Sequence, residues 1–112
     1  MTTLGELMIA FVAGAYGRLT PNLMKYTAEL EGDRVQARIV VLDQISEAEL
    51  DEVFDILGHV VSHTGGTADF DLIRASSVDE AYDDPELSIG LFRAYALERE
   101  FEKRLLRTHP EL

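Results

Sequence analysis

The 112-residue sequence has no cysteine, which excludes disulfides, thiolate nucleophiles and every cysteine-containing metal site, and leaves the redox compartment open. It is also short of base. Ten Lys and Arg stand against 21 Asp and Glu, a net charge of -11, and a field of that sign repels phosphate backbones, so nucleic acid is not expected as a direct ligand. Nor is there a long hydrophobic run. Leu7 to Gly17 is unbroken by charge, but its eleven residues fall short of the roughly 18 that cross a bilayer, and no membrane partner is expected. A secretory leader needs a basic start, whereas the first charge here is Glu6 and the first base Arg18, although Ala13-Gly14-Ala15 looks like a cleavage site. There is no internal repeat, linker or low-complexity tract, and the length suits one core, so a single domain over 1–112 is expected. With 46% hydrophobic residues, the chain is too apolar to be held open by its own charge.

What is present is strong local patterning. Leu4, Leu7, Met8, Phe11, Val12 and Ala15 recur at spacings of three and four, predicting a helix that packs on a sheet, with Thr3 and Glu6 as its capping pair and Gly17 as its stop. From Leu23 the period becomes two. Met24, Tyr26, Ala28 and Leu30 alternate with Lys25, Thr27 and Glu29, and Val35, Ala37, Ile39 and Val41 repeat the pattern across Glu31-Gly32-Asp33, which predicts a hairpin. Ser46-Glu47-Ala48-Glu49 is a capping box opening a helix over about 46–63, in which Leu50, Val53, Phe54, Leu57, Val60 and Val61 share a face. Burying those six would contribute about 1.5 to 3 kcal/mol each before entropy, so this helix is expected to cover the core. Gly65-Gly66 ends it, and Ala68 to Ala75 reads as a strand with Phe70 and Leu72 on one side and Asp69 and Asp71 on the other.

The last third carries two readings. Asp84-Pro85-Glu86 looks like a helix start followed by Leu87, Leu91, Ala94, Leu97, Phe101 and Leu105 at helical spacing; Gly90 to Tyr95 is alternatively a short strand, with a helix from about Glu98. The expected fold is α+β: an antiparallel sheet with helices on one face, in the order α-β-β-α-β-(β)α.

Charge is distributed unevenly. From Asp43 to Glu86 there are thirteen acids and one base, Arg74, while the rest of the chain holds eight acids and nine bases. On the second predicted helix Glu47, Asp51 and Asp55 stand four apart, with Glu52 beside them. Such like charges repel by a few tenths of a kcal/mol per pair, so the ridge does nothing for the helix itself. A solvated face that keeps the protein soluble explains these acids; a docking face for a basic protein explains why they are concentrated rather than spread. Candidate contact residues are therefore Glu47, Asp51, Glu52 and Asp55, with Asp69 and Asp71 as auxiliaries. A nuclease, whose groove is lined with Lys and Arg, is one partner that such carboxylates would suit.

Other constellations are weaker. Asp55, His59 and His63 fall on one stripe, but they lack a fourth ligand and a base, and histidines near a helix C-terminus are favoured by the dipole alone. Asp69 with Asp71, and Asp83 with Asp84, have no Ser, Lys or His spaced as a nucleophile or relay. Tyr26, Phe92, Tyr95 and Phe101 read as core rather than as a stacking platform. No metal, cofactor or catalytic residue is expected.

Gly17-Arg18-Leu19-Thr20-Pro21-Asn22 after an apolar helix, then the Tyr26 to Val41 hairpin, then Ser46-Glu47-Ala48-Glu49-Leu50 opening an acidic helix, resemble the small immunity proteins of bacterial contact-dependent growth inhibition and related polymorphic toxin systems, over residues 4 to 75. The resemblance implies a cytoplasmic, non-catalytic inhibitor that binds a toxin domain, often a nuclease, delivered from a neighbouring cell. That family ends in a strand with an aromatic-x-Arg-x-Glu run, matched here only loosely by Phe92, Arg93, Tyr95 and Glu98. The extension from Arg99 to Leu112 has no counterpart; its Arg99, Lys103, Arg104 and Arg107 could pair with the acidic ridge of the same chain or of a second copy, giving a homodimer. The alternative function is a self-associating structural or regulatory subunit.

Overall fold

The computed structural model describes residues 2–111. Its elements are α1 (Leu4–Ala15), β1 (Leu23–Glu31), β2 (Arg34–Leu42), α2 (Glu47–Thr64), β3 (Thr67–Ala75), α3 (Val78–Asp83), β4 (Ile89–Arg93) and α4 (Tyr95–Thr108). The class is α+β, as the patterning predicts. Two refinements follow from the topology. The sheet is mixed: in the order β3-β2-β1-β4, β1 runs antiparallel to β2 and β4, while β3 lies parallel to β2, from Arg34 beside Thr67 to Leu42 beside Ala75. A helix between β2 and β3 returns the chain to the end where β2 began, and that makes the pair parallel rather than antiparallel. Helices also occupy both faces.

The first face carries the expected pair. Tyr26, Ala28, Val35, Ala37, Ile39 and Val41 pack under α1 and α2, which bury Leu7, Phe11, Val53, Ile56 and Val60 against them. The second face is capped at one end by α3 and α4, whose Ala81 and Leu97 join Met24, Val40, Leu42 and Ala75. Met24 sits here, apart from Tyr26 and Ala28, because the β1 register shifts between Leu23 and Lys25; the bulge turns Met24 and Lys25 to one side. Of the two readings of the C-terminal third, strand then helix is the one formed. Asp84-Pro85 starts no helix. It follows the short α3, a segment the sequence patterning did not reveal, and the Asp84 carboxylate accepts from Arg38 Nε and Nη2 at 2.9 and 3.1 Å.

Lys25 locks this second face. Its side chain is 2% exposed, and Nζ donates to the carbonyls of Tyr82 and Asp84 at 3.0 and 2.8 Å while pairing with Glu86 at 3.2 Å. Lys25→Met keeps the apolar stem but removes the donor, leaving two carbonyls and a carboxylate to find new partners. The expected cost is about 2 kcal/mol in a denaturant titration, with faster amide exchange over 82–87; an unchanged midpoint would show the clamp to be idle.

The apolar face of α1 differs from expectation. Leu7, Ala10, Phe11, Gly14 and Ala15 are buried, whereas Leu4, Met8 and Val12 are 51%, 44% and 68% exposed. The reason is the closeness of α2: a Cβ on Gly14 would lie 2.7 Å from His59 Cβ and 3.1 Å from the Ile56 carbonyl oxygen. The helix turns its smallest residues, Ala10 and Gly14, toward its neighbour, and larger side chains are displaced to the opposite flank. Among the described residues, no helix is long and apolar enough to cross a membrane.

Candidate functional site

The acidic surface is built on α2. Ser46 accepts from the Glu49 amide and Glu49 returns the bond to the Ser46 amide, so the predicted capping box is formed, and Gly65, at φ 69°, closes the other end. Burial of Val53, Ile56, Leu57 and Val60 fixes the rotation of the helix. Glu47, Asp51 and Asp55, which follow one another at four-residue spacing away from that apolar stripe, are left on the outer side and exposed.

The fold brings together only part of the predicted set. Glu47, Asp51 and Asp55 make no ion pair among the described residues. Glu52 is exposed beside them but faces Arg18 Nε at 3.3 Å. Asp69 and Asp71 lie on the other side of the sheet, in register with Gln36 and Arg38, where Asp69 pairs with Arg34 and the charge of Asp71 acts on Arg38. One continuous six-residue acidic patch is therefore not formed, because alternation along β3 sends Phe70 toward Phe54 of α2 and its acidic neighbours the opposite way.

Three further acids of the 43–86 stretch meet bases from outside it, while Asp43, Asp79 and Glu80 make no ion pair among the described residues. Asp84 meets Arg38; Asp83 meets Arg104 at 2.6 Å, and Glu86 meets Lys25 and Arg93. Arg104 also lies over the Tyr82 ring at 4.2 Å and pairs with the buried Glu100, which Arg107 approaches at 3.8 Å. The basic C-terminal helix thus spends Arg104 and Arg107 on α3 and on itself. It does not reach the α2 ridge of its own chain, because α4 packs on the opposite sheet face. Tyr95 and Phe101, expected in the core, are 71% and 51% exposed on this helix, whose buried positions are Leu97 and Glu100.

Glu49 serves the fold rather than the surface. Its carboxylate accepts from the Thr20 hydroxyl, the Asn22 amide at 3.1 Å and the Ser46 backbone, and these bonds, Thr20 foremost, lower its pKa from 4.5 to about 2. A carboxyl that ionises more readily when folded stabilises the protein above its unfolded pKa and ceases to do so as pH falls toward the folded one. Wild-type stability should decline between about pH 4.5 and 2, and Glu49→Gln, which retains an acceptor but no charge, should flatten that limb. Parallel acid titrations of the two proteins followed by circular dichroism check this; coincident curves would refute it.

Among the described residues, no group of three or more His, Cys, Asp or Glu is placed to hold a metal ion, so Asp55, His59 and His63 do not form a site. The feature that pattern reading missed is the uncovered apolar flank of α1: Met8, Ile9, Val12 and Tyr16, with Leu4 and Leu19 at its ends, are 44% exposed or more. Its signal was the lack of any polar side within Leu7–Gly17; a helix apolar all round has an apolar side left over once one side is packed. No protein-family model matches this chain, and no curated protein matches it.

Proposed function

We propose that this protein is a non-catalytic inhibitor of the immunity-protein kind, acting in the cytoplasm, which neutralises a basic toxin domain by docking it on the outer side of α2. The observation that carries the reading is alignment. Glu52, Asp69, Asp83, Asp84 and Glu86 have cations from elsewhere in the chain. Of the acids that make no ion pair among the described residues, Glu47, Asp51 and Asp55 are the ones that stand in a row, four apart on one exposed side of a helix, whereas Asp43, Asp79 and Glu80 lie outside that row. A row of unpaired carboxylates one helical turn apart steers a cationic surface toward it and accepts Lys and Arg from that surface on contact. Occlusion needs no reacting group, and the mechanism is binding itself.

The test uses the basic toxin domain encoded beside this protein, if its neighbouring gene specifies one. Reversing Glu47, Asp51 and Asp55 to Lys should abolish both binding and protection of cells, with an unchanged circular dichroism spectrum. Protection that survives the triple reversal, or a neighbouring gene that specifies no such domain, overturns the reading.

A further inference from the structure

We infer that the apolar flank of α1 is the interface of a two-fold homodimer, in which α1 packs side by side and antiparallel against α1 of a second copy, centred on Val12. The inference stands independently of the toxin reading. Leu4, Met8, Ile9, Val12, Tyr16 and Leu19 are between 44% and 88% exposed, and they leave on the order of 600 Å² uncovered on each copy. Joining two such flanks would remove about 1,200 Å² from water, which reaches the lower edge of specific, stable interfaces.

Direction and register follow from rotation and charge. Ala10 and Gly14 face α2, and at 100° per residue Met8 and Val12 point to the reverse side of the helix. A copy seated there extends the helical layer as α2-α1-α1-α2. The acidic ridges then lie at its two outer limits, and the contact can form despite the net charge of -11. The apolar run is bounded by Glu6 at one end and Arg18 at the other, each six residues from Val12. Neither charge lies in the seam, since Arg18 is turned toward α2, where its Nε pairs with Glu52 at 3.3 Å. Antiparallel pairing about Val12 leaves the seam apolar and brings the acidic end of each α1 beside the basic end of the other only at its rim. Arg18 is already held beside the end of α1, since its Nη1 donates to the Gly14 carbonyl at 3.0 Å. Parallel pairing would instead oppose Glu6 to Glu6, and antiparallel helices also align their dipoles favourably. Self-complementarity of this kind, the same patch meeting itself in reverse, is what a two-fold contact requires.

Sedimentation velocity of the full chain, from about 1 to about 100 µM, should show the mass rising toward twice that of the monomer. Val12→Asp should remain monomeric throughout with an unchanged circular dichroism spectrum. Because the chain has no cysteine, register is tested by single thiols: under diamide, Val12→Cys should give a disulfide-linked dimer, since the two positions face each other across the axis, and Ser62→Cys on the outer side of α2 should not. A wild-type monomer at the highest concentration, a Val12→Asp dimer, or equal cross-linking at Ser62 overturns the inference.

Discussion

Gly66→Ala is expected to destabilise the protein by about 3 kcal/mol or more, the largest loss from any single methyl group in this fold. An added Cβ would lie 1.9 Å from the Asp33 carbonyl oxygen and 3.0 Å from its carbon, and both are backbone atoms that no rotamer change can move aside. Asp33 sits at the tip of the β1–β2 hairpin, and the same carbonyl accepts from the Thr67 amide at 3.1 Å, the first link between that tip and β3. Relief of the clash requires the tip and the start of β3 to separate, so the bond is lost and the parallel register from Arg34–Thr67 onward is strained. The neighbouring glycine gives the control. Gly65 has φ 69° with open space around it, so Gly65→Ala meets only the left-handed backbone penalty of about 1 kcal/mol. Urea denaturation of both variants separates the two causes. Equal losses, or the larger at Gly65, would mean that close approach at Gly66 is not the constraint.

The elements of this fold differ in how much of their physics the order of residues displays. The hairpin and α2 were legible because each has one buried side, and a single buried side imprints its period on the order of residues. On α1 the same rule pointed to the wrong rotation. With Leu7 to Gly17 apolar throughout, several faces look suitable, and the choice is made by the Cβ that Gly14 lacks, a property of contact with His59 that no spacing along α1 reveals. The alternation of Phe70 and Leu72 against Asp69 and Asp71 correctly separates the faces of β3, but it is the same for either chain direction, and so parallel pairing was not visible in it. The acidic ridge was legible as spacing. Which of its members are free was not, because Arg18 with Glu52 and Arg38 with Asp84 are pairs separated by 34 and 46 residues, brought together only by the tertiary fold. Part of the acid excess of 43–86 is thus offset by bases that the fold brings from elsewhere in the chain, and the aligned carboxylates on α2 are the part for which the proposal needs a partner.

That remainder defines the second large effect. Simultaneous Glu47→Lys, Asp51→Lys and Asp55→Lys should weaken capture of a basic partner by at least a hundredfold at low salt, since three attractions become three repulsions on one stripe. Most of the fall should appear in the association rate when these residues form the rim of the contact, and in the dissociation rate for any that become desolvated within it. Wild-type affinity should drop steeply as salt is raised to physiological strength, and that dependence should be nearly absent in the variant. The fold should tolerate the change. The three side chains are exposed and make no ion pair among the described residues, the like-charge spacing repels whether the sign is negative or positive, and the one added cost, Lys at position 47 beside the positive end of the helix dipole, is about 0.5 kcal/mol. The decisive contrast is with the other face of the sheet: Asp69→Asn with Asp71→Asn should leave affinity within about twofold, because those carboxylates cannot share a rigid partner surface with α2 and lie beside Arg34 and Arg38. Were the pair on β3 to matter more than the row on α2, the docking face would have to be moved to the opposite side of the molecule.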